Sequence, residues 1–178
     1  MSSFQSRQLE GIFKVSNFVS KYQIDDVNSL LSLASYSMNA ETMKKIKLCR
    51  LQEELQSLSI FAGFLIEKQF NIRVNWTSLS PGIVFLQKEN HQPHIHADNE
   101  TLDGEPKLNY ENFDVSGVIY LSSTFGGGEI EFVHQNITIK PEFGDLIFFP
   151  GDARYAHFVH QVESGLRISS PMWFSIAS

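Results

Sequence analysis

The chain has 178 residues, 42% of them hydrophobic and 19% charged, with a formal net charge of −6. That length supports one hydrophobic core, so a single domain spanning residues 1–178 is the default, and the acidic balance without any Lys/Arg run leaves no electrostatic footprint for nucleic acid. No apolar stretch approaches the ~18–20 residues of a membrane span, and the lone Cys49 excludes a disulfide framework. Met1-Ser2-Ser3-Phe4-Gln5 lacks the basic start and apolar run of a signal peptide, so a cytoplasmic, reducing location is expected.

Residues 1–23 scatter Phe4, Phe13, Phe18 and Tyr22 among polar neighbours, and Ile12-Phe13-Lys14-Val15 can form a short leading strand. Asp25 and Asp26 can cap a helix that carries Val27, Leu30, Leu31 and Ala34 at helical spacing and ends near Asn39. From Glu41 to Phe70 the only breaker is Gly63, and Leu48, Leu51, Leu55, Leu58, Ala62 and Leu65 step by threes and fours. This predicts one long amphipathic helix whose task is to cover a sheet. Residues 1–75 therefore read as helical support.

Beyond residue 71, β-branched and aromatic residues rise while Gly, Pro and Asn punctuate at short intervals. Strands are predicted over 82–87, 93–98, 115–122, 129–133, 136–140, 145–149, 157–162 and 166–176. Short strands in this number suggest a jelly roll over 76–178: an α+β fold in which the N-terminal helices pack on a double-stranded β-helix. The polar segment from Asn99 to Asp114 is the natural substrate-covering loop. No repeat, linker or low-complexity segment interrupts the chain.

The chemistry concentrates in His94-Ile95-His96-Ala97-Asp98-Asn99. Period-two alternation puts His94, His96 and Asp98 on one face of an extended segment, where they could converge on a cation. Two histidines and one carboxylate form a facial set that leaves three metal positions open. Here the pair could be His94/His96 or His96/Asp98. His157 is the best candidate for a downstream ligand, although a lone strand histidine is more often a hydrogen-bonded structural residue. His91 and His134 fall in predicted turns, and His160 has the opposite parity to His157. Val162-Glu163-Ser164-Gly165-Leu166 suggests a hairpin with Gly165 in the left-handed position, which would set His157 opposite Pro171 and face His157 and Arg167 to the same side. Arg167 would then lie roughly 13 Å along the strand from the partner of His157, at ~3.3 Å per residue. A dicarboxylate could fill that gap, because an inward guanidinium needs a buried anion.

Taken together, these residues resemble the Fe(II)/2-oxoglutarate oxygenases, most closely the prolyl hydroxylase branch. The resemblance runs from about Gly82 to Phe174. His96-Ala97-Asp98 is similar to the family's HxD, His157 to its distal histidine, and Arg167 to the basic residue that holds the far carboxylate of 2-oxoglutarate. Gly117-Val118-Ile119-Tyr120-Leu121 resembles the strand whose Tyr touches 2-oxoglutarate. Gly127-Gly128-Glu129-Ile130-Glu131-Phe132 and the segment from Ile139 through Phe149 match two further family motifs, and Trp173 falls where the family often has Trp. The His-Ala-Asp-Asn run looks especially like the catalytic domain of leprecan-type prolyl 3-hydroxylases. In place of the Tyr that the family often carries before HxD stands Phe85-Leu86-Gln87, and the large accessory regions of collagen-modifying members are absent.

The resemblance implies that His96, Asp98 and His157 hold Fe(II), that Arg167 pairs with the 5-carboxylate of 2-oxoglutarate, and that Tyr120 and Ser169 add hydrogen bonds. With O₂ as the second cosubstrate, 2-oxoglutarate would be split to succinate and CO₂ while a C–H bond is hydroxylated. Asp98 favours hydroxylation over halogenation, since the family's halogenases lack that carboxylate. The substrate implied is a prolyl residue in a peptide or protein, or alternatively a free amino acid, with Asn99, Arg154, Tyr155 and Trp173 as candidate contacts. Trp173 stands where nucleic-acid-dealkylating members carry a second Arg. Two other readings compete. A cupin-like metal protein would use His94, His96, Glu100 and His157 but gives Arg167 no task, and a non-catalytic jelly-roll module has no physical need for four converging polar groups.

Overall fold

The computed structural model describes residues 10–19, 41–78, 84–89 and 92–177, with helix side chains described from residue 52 onward. The predicted helix after Asp25 and Asp26, and His91, lie outside the described residues.

Helix α1 runs from Glu41 to Phe70, the span that the spacing predicts. Leu55, Leu58, Ala62, Ile66 and Phe70 are buried at intervals of three and four, so a single stripe of the helix faces inward. Leu65 is only half-buried and Ile66 takes the core position instead.

The stripe packs on a five-stranded antiparallel sheet made of β1 (Phe13–Val15), β2 (Phe85–Gln87), β3 (Val115–Tyr120), β7 (Leu146–Pro150) and β10 (Arg167–Phe174), in the order β1-β7-β3-β10-β2. Residues directly opposite in antiparallel strands share a face. Val115, Ile119, Leu146, Phe148, Ile168, Met172 and Phe174 therefore form the face that meets α1, and they make one core cluster with it. Tyr120, Ile147 and Phe149 point the other way, into a second cluster with Ile130, Phe132 and Tyr155.

That second cluster is closed by two smaller sheets. One holds β6 (Ile137–Ile139), β5 (Ile130–Phe132) and β8 (His157–Val159) in that order; the other pairs β4 (Phe125–Gly127) with β9 (Val162–Gly165). The result is a jelly roll with a helix on its larger sheet, as expected.

Two local expectations fail. The hairpin that would set His157 opposite Pro171 does not form: β8 pairs with β5, and β10 pairs with β3 and β2. The cause lies in the glycine run before β5. The pairing of β4 and β9 bulges between Gly126 and Gly127, and a Cβ on Gly127 would sit 2.2 Å from the Gln161 carbonyl oxygen, so only glycine admits this approach of β9. Gly165 takes the left-handed conformation (φ 74°), but as the corner between β9 and β10. The segment 93–98 is not a strand either and makes a single bridge, His96 to His157.

Candidate functional site

The ligand-type residues arrive on separate segments. His96 and Asp98 lie on the bridged strip before the long loop, and His157 opens β8. The two histidines are joined by their main chains: His96 N–H donates to the His157 carbonyl at 3.0 Å, and His157 N–H to the His96 carbonyl at 2.8 Å. The N–H groups of Asp98 and Asn99 both donate to the Gly151 carbonyl, at 2.9 and 3.0 Å. These bonds bring one ligand atom from each of His96, Asp98 and His157 to within 4.8 Å of one another.

Each imidazole is oriented by a main-chain carbonyl two residues before it. His96 Nδ1 lies 3.0 Å from the His94 carbonyl oxygen, and His157 Nδ1 lies 3.0 Å from that of Tyr155. A carbonyl can only accept, so Nδ1 carries the hydrogen, and in the neutral ring this leaves the Nε2 lone pair as the ligand atom. His157 is buried against the rings of Phe149 and Phe132. That burial pushes its pKa below the ordinary imidazole range, against the pull of the Asp98 carboxylate, while His96 and Lys107 reinforce the fall. The ring is therefore neutral and available as a donor.

The second feature is Arg167, 3% exposed, at the start of β10. Its Nε donates to the Gly128 carbonyl (3.2 Å), Nη1 to Ser169 Oγ (2.9 Å) and to Gln87 Oε1, and Nη2 to the Tyr120 hydroxyl (3.3 Å). The guanidinium lies 4.9 Å from the centre of the Tyr120 ring. Burial raises the Tyr120 pKa, with Arg167 opposing, so the phenol stays protonated. Among the described residues no carboxylate forms an ion pair with Arg167. A buried cation satisfied only by neutral groups is a standing site for an anion.

The remaining predicted residues divide. Trp173, on the same face of β10 as Arg167 and Ser169, stacks on Phe113 with ring centres 5.2 Å apart. Asn99 follows Asp98 directly, and its Oδ1 is buried without a hydrogen-bond partner. Tyr155 turns into the core between the sheets, where its hydroxyl accepts from Gly11 N–H at 2.7 Å. Arg154 folds back on its own turn, with Nε and Nη2 donating to the two carboxylate oxygens of Asp152 at 2.8 and 2.7 Å. Glu100 accepts from Ala153 N–H at 2.9 Å and is not among the converging groups, and His94 is exposed beside His96. The cupin-type quartet is therefore not assembled.

Two residues with direct contacts here escaped sequence reasoning. Gln87 stands opposite Arg167 in the β2–β10 pair; the departure at Phe85-Leu86-Gln87 marked the region but not the residue. Lys107 sits in the 99–114 loop, where spacing carries no signal, and its ammonium donates to the Ala97 carbonyl, between His96 and Asp98.

A family model described as "2OG-Fe(II) oxygenase superfamily" matches residues 83–175. The human 2-oxoglutarate and iron-dependent oxygenase domain-containing protein 3 is 26% identical over 166 residues, covering 89% of this chain and 47% of that protein. Human prolyl 3-hydroxylase 2 is 33% identical over 95 residues, covering 46% of this chain and 13% of that protein. The chain thus spans about half the length, or less, of the curated relatives it matches. In fold it is similar to the viral collagen prolyl hydroxylase of Paramecium Bursaria Chlorella virus-1, with a TM-score of 0.65 at 20% identity over 100% of this chain and 99% of that one. A Trichoplax adhaerens prolyl hydroxylase in complex with a hypoxia inducible factor peptide fragment gives a TM-score of 0.64 at 17% identity, over 93% and 83% of the two chains.

Proposed function

This chain belongs to the 2OG-Fe(II) oxygenase superfamily, and we propose that it hydroxylates an unactivated C–H bond of a prolyl residue in a peptide or protein. Fe(II), 2-oxoglutarate and O₂ are the metal and cosubstrates of that family. The observation that carries the reading is the pairing of two features: a His-His-Asp donor cluster, and a buried guanidinium that no carboxylate pairs among the described residues. The prolyl assignment is supported by the identity to prolyl 3-hydroxylase 2.

The residues present fit the implied groups. Two imidazoles and one carboxylate are a donor set for iron that leaves positions open, and the buried Arg167 guanidinium suits an anion inside the same roll. When bound, iron and 2-oxoglutarate supply the oxidising power, one atom of O₂ ending in succinate and the other in the hydroxylated product.

The chain's own contribution is to bind, orient and shield. His96, Asp98 and His157 would hold the metal, with Nε2 of each imidazole aimed by the carbonyl that fixes its Nδ1. Arg167 would pair with the far carboxylate of 2-oxoglutarate, and the Tyr120 and Ser169 hydroxyls would donate to the same group. Phe149 and Phe132 keep water from the buried side of His157. Asn99 holds a buried amide oxygen without a partner next to Asp98, and Trp173 with Phe113 offers aromatic surface against which a pyrrolidine ring can lie.

The test is succinate formation from 2-oxoglutarate with added Fe(II), comparing a panel of Pro-containing peptides with free amino acids, and mass spectrometry of the stimulating substrate. A peptide that stimulates turnover and gains one oxygen atom on its proline is the expected result. Stimulation by a free amino acid and by no peptide would overturn the prolyl assignment and leave the oxygenase reading standing.

A further inference from the structure

The main-chain bonds of His96 and the N–H of Asp98 run to one edge of the strip that carries them. His96 exchanges both of its main-chain bonds with His157, and the N–H groups of Asp98 and Asn99 reach Gly151. Main-chain carbonyls alternate along an extended segment, so the Ala97 carbonyl points to the opposite edge, which the segment around Pro106 and Lys107 approaches through the Glu100–Pro106 bridge. Ala97 is 1% exposed, and a buried carbonyl left without a donor is costly. The Lys107 ammonium fills that place. Lys107 also ties its own main chain to the strip, its N–H donating to the Asn99 carbonyl at 2.8 Å.

We infer that Lys107 is a positioning residue of the metal centre, its ammonium holding the Ala97 carbonyl so that His96 and Asp98 stay converged on His157. This inference rests on the reading of those three residues as iron ligands. The Lys107 ammonium bonds the carbonyl between two ligand-type residues rather than a ligand side chain, so it acts through the main chain. Electrostatics and geometry predict opposite outcomes when it is removed. A cation close to a metal site repels the metal, so deleting its charge would by itself tighten metal binding. Loss of a group that orients the ligands weakens it, by ~10- to 100-fold in comparable cases.

The experiment titrates metal-free protein anaerobically with Co(II) and with Fe(II), using wild type, Lys107→Met, Lys107→Arg, His96→Ala and Asp98→Ala. Melting of each metal-free protein serves as the folding control. Lys107→Met keeps an apolar stem and loses the donor; it is expected to bind metal at least ~10-fold more weakly, with metal-free melting near wild type. Lys107→Arg is expected to restore most of the affinity, and the 2-oxoglutarate requirement at saturating Fe(II) to stay unchanged in both. Should Lys107→Met melt early, Lys107→Gln, with a shorter neutral donor, is read instead and is expected to give an intermediate loss. Wild-type or tighter binding by the Lys107 variants, beside failed binding by His96→Ala, would overturn this inference alone. Undiminished binding by His96→Ala and Asp98→Ala would remove the iron-site reading, and this inference with it.

Discussion

The main chains of His96 and His157 exchange two hydrogen bonds, one in each direction, and their rings lie 4.5 Å apart. Two residues 61 positions apart in sequence (157 − 96) are thereby locked into one register, with Asp98 two residues further along the same strip. A site built this way needs all three groups. Anaerobic addition of Fe(II) and then 2-oxoglutarate should give a weak visible charge-transfer band in wild type and none in Asp98→Ala. An unchanged band in that variant would sink the assignment of Asp98 as a ligand.

Arg167 and Gln87 should separate cleanly in their effects on 2-oxoglutarate. Removing a buried cation that pairs with a carboxylate costs about 2–5 kcal/mol, so Arg167→Ala should raise the 2-oxoglutarate requirement at least ~30-fold. Arg167→Lys should recover part of the loss, because a point charge remains but the planar fork does not. Gln87 supplies one neutral partner to the guanidinium. Its loss is worth ~0.5–1.5 kcal/mol, and Gln87→Ala should raise the requirement by no more than about 10-fold. Equal effects of the two substitutions in a 2-oxoglutarate titration would contradict this division.

Acidification should destabilise the metal-free protein through His157. Burial holds its folded-state pKa below the ordinary value of 6.5, so between the two values the unfolded chain binds the proton and the folded chain does not. The resulting stability is present in full above about pH 6.5 and is lost as pH falls through the folded-state value. Thermal melting of wild type below pH 6.5 should fall more steeply than that of His157→Leu. Metal loading shares the sign, since a ligand imidazole must be deprotonated.

Gly151 couples the fold to the site. Its carbonyl accepts from both Asp98 and Asn99, while a Cβ on it would sit 2.1 Å from the Phe113 carbonyl oxygen. That neighbour is main chain and cannot rotate aside. Gly151→Ala should therefore cost about 1–3 kcal/mol in stability and weaken metal binding as well, measured by thermal melting and by Co(II) titration. A variant with wild-type values in both would show that the Phe113 segment yields freely.

By itself the sequence determined the elements and the roll of chemical groups. The thirty-residue helix was legible because apolar residues at threes and fours admit no other regular structure over that length. The leading strand at Phe13–Val15 and the cores of most later strands were legible from β-branched and aromatic runs between turn residues. His96 and Asp98 stood out by their period-two alternation, Arg167 as an inward guanidinium in an apolar strand, and His157 by the resemblance that set it with them. Pairing was decided by the tertiary structure. His157 lies against Phe132 and His96 rather than Pro171, since the glycine run at 126–128 draws β9 to β4, and no local pattern around His157 encodes that long-range competition. The partners of the site were hidden for the same reason: Gln87 reaches Arg167 across 80 residues, and Lys107 reaches back across ten to a main-chain carbonyl. Which donor meets which acceptor depends on where the folded chain brings them, and spacing in sequence measures only how far apart they begin.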